Sequence, residues 1–220
     1  MRIYLSARTR LWLALAGSSL VSVGLFLANV HTMHSWEFNY LIWNLFLAWM
    51  PLLFTFWLLK VLRRKLWSSW EALLVTVIWL SFLPNSFYMI SDFVHILEVP
   101  PTRVLYLVVV FSSFILNGVI LGYISLFQIH QELLKRISKR TSAILVSVVL
   151  ALCSFAIYLG HDLRWNSWDL LRDPGGILVD VSNHVTDAIA YTTALSFFLL
   201  LGSLYIVVWY MARTMRQQRG

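Results

Sequence analysis

The chain has 220 residues, 60% of them hydrophobic and 12% charged, with a mean hydropathy of +0.75. Soluble domains carry about 45–50% apolar and roughly 25% charged residues, so composition excludes a water-soluble globular domain, and the length suits a single membrane domain over residues 1–220. The net charge of +7 would fit a nucleic-acid binder if the basic residues formed a patch. They are dispersed beside apolar runs instead, and no nucleic-acid partner is expected.

Six apolar stretches, roughly 11–30, 40–59, 70–91, 104–128, 142–160 and 186–210, approach the ~20 helical residues that cross a ~30 Å hydrocarbon core. The expected fold is all-α, a six-span transmembrane helix bundle. The first stretch exceeds the usual signal-peptide core of about 7–15 apolar residues, and no small-x-small cleavage site follows, so it is read as an uncleaved span.

The second stretch places Tyr40, Asn44, Ala48, Pro51 and Thr55 near one helical face. Pro51 removes an intrahelical bond, and an amide in lipid needs a partner. These residues suit either a kinked packing seam or one wall of a polar cavity. The third opens on Ser68-Ser69-Trp70-Glu71, a capping-box pattern. Pro84 follows Trp70 by 14 residues, ~21 Å across at ~1.5 Å per residue. A break is expected there, and a helix resuming beyond it would stack Asn85, Tyr88, Asp92 and His95 in one polar stripe. Such a stripe faces a cavity or a partner; alternatively, Pro84-Asn85 ends the span and Asp92 is solvated.

In the fourth stretch Gly118-x-x-x-Gly122 permits close helix approach, and Asn117 lies near mid-membrane, where it must be paired. The fifth leads into His161-Asp162-Leu163-Arg164-Trp165-Asn166-Ser167-Trp168-Asp169. The two tryptophans suit an interface, and Asn166 and Asp169 suit either a surface-helix cap or a site. Arg164 is the cation placed to meet Asp92 or Asp169. At the start of the sixth stands His184-x-x-Asp187, which with His95 offers imidazole and carboxylate groups for a divalent metal. The pattern is short enough to arise by chance; no metal is assigned, and no cofactor is specified.

Fourteen of the seventeen Lys and Arg residues fall at the amino terminus, in the second and fourth connections and in the carboxyl-terminal tail. Basic residues are retained on the cytoplasmic side, so both termini are expected there, in a plasma membrane. Eight of the ten acids and five of the six histidines fall on the opposite side.

Two stretches carry a resemblance. Trp79-Leu80-x-Phe82-Leu83-Pro84-Asn85-x-x-Tyr88-x-x-x-Asp92 and Leu163-Arg164-Trp165-Asn166-Ser167-Trp168-Asp169 resemble a bacterial integral-membrane family catalogued as domain of unknown function thirteen sixty-one. Asn44-Leu-x-Leu47-Ala48-Trp49-x-Pro51 and Asn117-Gly118 are similar to its pattern. That pattern has Arg after the Gly preceding the second motif, where this chain has His161, so no role carries over to position 161. The resemblance implies a multi-pass bacterial membrane protein and brings no activity.

Three functions compete. The preferred reading is a non-catalytic envelope or assembly protein that presents a polar outer surface to a partner. The second is a transporter or solute-binding protein with an outward pocket of Asn44, Asn85, Tyr88, Asp92, Asn117, Arg164, Asn166 and Asp169. The third is a membrane enzyme acting on a lipid or envelope precursor. It would use Asp92 as acid/base, Arg164 as an anion clamp and Asn85 or Asn166 as hydrogen-bond donors, with Asp169 a further catalytic candidate, though no nucleophile, metal or phosphate-loop motif is present. The expected partners are the lipid bilayer and an envelope protein or a lipid-like ligand.

Overall fold

Each apolar run forms one helix in the computed structural model, which describes residues 6–162, 172, 173, 175, 176, 179 and 188–217. The helices are α1 (Ala7–Met33), α2 (Tyr40–Val61), α3 (Trp70–Tyr88), α4 (Pro101–Leu133), α5 (Lys139–Asp162) and α6 (Ala188–Gln217), with a 3-10 helix over Ser91–Glu98 after α3. All six α-helices are long and apolar enough to cross a membrane, and no strand occurs among the described residues.

Local chemistry sets the helix ends. Ser6 Oγ accepts the Thr9 amide at the start of α1, and His34 closes it in a left-handed conformation, φ 52°, which histidine tolerates better than branched residues do. At α3 the cap is Ser69, whose Oγ accepts the Ala72 amide. Glu71 does not complete the expected box: its carboxylate lies 2.7 Å from Lys65 Nζ. Pro101 occupies the first turn of α4, where its missing N–H is no loss.

The expected break at Pro84 does not occur; α3 runs through it to Tyr88. Proline removes one backbone donor without abolishing neighbouring bonds. Here the Asn85 side-chain amide donates to the Phe82 carbonyl at 3.0 Å, adding a bond beside the gap. The helix changes form later, at the 3-10 segment.

α2, α3 and α4 make the centre. Gly118 and Gly122 receive α3 at Ser86 and Phe87: a Cβ on Gly118 would stand 2.7 Å from the Ser86 carbonyl oxygen, and one on Gly122 would stand 2.8 Å from the Phe87 ring. Without a hydrophobic drive between helices in lipid, such close approach is what brings dispersion into play. Ser86 donates its hydroxyl to the Ala48 carbonyl of α2 at 3.1 Å. Lower down, the hydroxyls of Thr55 and Ser125 lie 2.8 Å apart, and Trp79 Nε1 donates to Ser125 Oγ at 2.8 Å.

Two apolar clusters flank this centre. One joins α1 to the first halves of α2 and α4 through Phe26, Leu41, Phe111 and Phe114. The other joins α3, α5 and α6 to the second half of α4 through Trp79, Phe87, Ile157 and Leu201. The α2–α3 and α4–α5 connections meet at one end of the bundle, where Arg136 Nη2 donates to the Leu62 carbonyl at 3.4 Å and its guanidinium stands 5.7 Å from the Trp67 ring. The acids near that end are paired, Glu71 with Lys65 and Glu132 with Lys135 and Arg136.

Candidate functional site

Asp92 opens the first turn of the 3-10 segment, immediately beyond α3. In a 3-10 helix residues three apart eclipse each other, so Asp92 and His95 stand on one edge. Tyr40 and Asn44, four apart, share a face at the start of α2. The two pairs meet. Asn44 Nδ2 donates to Asp92 Oδ2 at 3.1 Å, and the Tyr40 and His95 rings cross edge-on with centroids 5.7 Å apart. Asp92 is only 3% exposed.

A carboxylate withdrawn from water to this degree needs donors and opposite charge to offset lost hydration. Asn44 supplies a donor, and among the described residues the His95 side chain is the electrostatic neighbour of Asp92. The arrangement holds the turn after α3 onto the start of α2.

The remaining candidates point to different neighbours. Asn85 makes the local bond to Phe82 already described. Tyr88 donates its hydroxyl to the Gly160 carbonyl at 3.3 Å, tying α3 to the end of α5. Beyond Tyr88 the change from 3.6 to 3 residues per turn alters the register of Asp92 and His95 relative to Asn85 and Tyr88.

Asn117 belongs to another contact. Its Nδ2 donates to Ser22 Oγ at 2.9 Å and to the Ser113 carbonyl at 2.8 Å, and its Oδ1 accepts from Ser19 Oγ at 3.5 Å. Ser19 also accepts from Trp49 Nε1 at 3.2 Å, so this network joins α1, α2 and α4. Arg164, Asn166, Asp169, His184 and Asp187 lie outside the described residues. No three His, Cys, Asp or Glu side chains come together as a metal-binding group among the described residues.

Sequence reasoning passed over His130. Its Nδ1 lies 2.8 Å from Tyr205 Oη, and its ring stacks on Trp209 at 4.1 Å. These three residues join α4 to α6. The available signal was an ionisable side chain just past an apolar run, but its partners lie more than seventy positions away in the chain.

A family model described as "Protein of unknown function (DUF1361)" matches residues 43–208. That interval contains Asn44, Asp92, Asn117 and the tryptophan-rich stretch. No curated protein and no solved structure matches the chain.

Proposed function

We propose, from the premise that this chain belongs to the DUF1361 family, that it is a non-catalytic component of a bacterial plasma membrane. In this reading both termini are cytoplasmic, and the opposite face is presented to an envelope partner. One observation carries the proposal. The described polar candidates divide among separate helix contacts: Asn44 with Asp92, Tyr88 with Gly160, Asn117 with the α1 serines. Polar groups spent on one another inside a bundle act as packing contacts. The orientation rests on the basic connections, which favour the cytoplasm.

The test is a deletion strain complemented with Asp92→Asn. Asparagine keeps the shape while removing the charge. An assembly component should be fully replaced by this variant, with lipid profile and solute uptake the same in parent, deletion and complemented strains. A lipid precursor that accumulates in the deletion strain and persists with folded Asp92→Asn would overturn the reading in favour of an enzyme. A solute whose uptake follows the same pattern would favour a transporter. Reporter fusions at both termini test the orientation.

A further inference from the structure

Near the ends of two spans a cleft of ≈ 50 Å³ opens between the last turns of α1, the α1–α2 connection and the first turns of α4. Phe38 and Leu107 line its apolar side, and both are buried. Asn29 also lines it. That residue is 6% exposed, and its carboxamide has no hydrogen-bond partner among the described residues. Two opposite charges complete the lining, Glu37 from the connection and Arg103 from α4. Both are exposed, and neither forms an ion pair with a described residue.

We propose that this cleft binds the phosphoethanolamine headgroup of a phospholipid. The Asn29 carboxamide is reached from the cleft it lines, so a ligand there can exchange hydrogen bonds with both its N–H donors and its oxygen. Arg103 suits a phosphate, which guanidinium binds through paired donors. Glu37 suits an ammonium, whose three donors can be divided between a carboxylate and the Asn29 oxygen. The cleft is several times the ~10–15 Å³ that a cavity needs to hold one water, so it has room for a small part of a headgroup. An aminoethyl arm fits; a trimethylammonium group is bulkier and brings no N–H donors.

Depth favours a lipid over a free solute. The cleft lies at span ends, and exposed Trp36 and Tyr106 stand in the same segments, as aromatic residues do at headgroup level.

The test uses the full chain, purified and stripped of lipid, with binding read by native mass spectrometry and by thermal shift. The probes are dioleoyl phosphatidylethanolamine, phosphatidylcholine and phosphatidylglycerol. The ethanolamine lipid should bind at least about tenfold more tightly than the choline lipid. Glu37→Gln should abolish that preference and leave the glycerol lipid unaffected; Arg103→Gln should weaken ethanolamine and glycerol lipids together. Both positions are exposed, so the unfolding temperature without lipid should match the parent and certify the fold. Phosphoethanolamine should displace the bound lipid, and inorganic phosphate should do so poorly. Equal binding of choline and ethanolamine lipids, unchanged ethanolamine-lipid affinity in both variants, or displacement by phosphate as effective as by phosphoethanolamine would each overturn the proposal.

Discussion

The α3–α4 crossing and the flanking helices α1 and α6 use the same residue type, glycine, under opposite constraints. At the crossing, Gly118 and Gly122 meet backbone and side chains of α3 closer than any Cβ tolerates. In α1 and α6, Gly17, Gly24 and Gly202 have nothing within 4 Å of a notional Cβ. Burial follows the same division: 44% of the apolar window of α4 is buried, against 11% in α6. In a bilayer, exposed apolar surface is already in a matched solvent, so bundle cohesion comes from backbone proximity and paired polar groups. The difference teaches that this bundle is held at its centre, and that its flanking helices are shaped mainly for lipid.

The sharpest way to break that contrast is to fill the crossing. Gly118→Leu should destabilise by about 3 kcal/mol or more, since an overpacked core usually loses about 1–3 and rigid backbone cannot yield. Cys153, the sole cysteine of the chain and fully buried, serves as the reporter: thiol labelling during denaturation should begin at lower denaturant. An unchanged transition would mean that α3 and α4 do not approach as described.

Next in size is Asn44→Ala, which leaves the Asp92 carboxylate without its amide donor. A hydrogen bond to a charged group is worth about 1.5–3 kcal/mol, and a loss of about 2 kcal/mol is expected by the same labelling assay. Replacing both residues, Asn44→Leu with Asp92→Leu, should restore much of it, because removing a buried polar pair together avoids stranding either member. If the double variant is as unstable as Asn44→Ala, the contact does more than orient the turn.

Asn117→Ala should cost less, between the average of about 0.6 and the maximum of about 1.7 kcal/mol for interhelical polar contacts in membranes. Its serine partners retain backbone carbonyls to bond. Disulfide trapping between α1 and α4 would show whether the loss is confined to that seam.

The smallest effect should carry the opposite sign. Gly202→Ala or Gly24→Ala adds a methyl group into open space and removes helix-interior glycine, which is less favourable than alanine by about 0.5–1 kcal/mol. Slightly raised stability is expected. A loss comparable to that of Gly118→Leu would place an undetected close partner on the flanking helix.

The amino-acid sequence alone determined the membrane class, the number of spans and the close-packing role of Gly118-x-x-x-Gly122. These depend on hydropathy, length and side-chain size, which are local properties. It also marked Asn44 and Asn117 as residues that must find partners, because an unpaired polar group in lipid is costly wherever it occurs, and it left Asp92 open between a partner and solvent. It did not reveal which partners. Pro84 promised a break, yet α3 continues through it and Asn85 bonds the Phe82 carbonyl beside the gap. The 3-10 turn beyond Tyr88 sends Asp92 to Asn44, 48 positions back, while Asn117 turns to serines more than ninety positions back. Periodicity describes directions around one helix axis. Which directions meet depends on how the axes are placed against one another, and only the tertiary structure decides that.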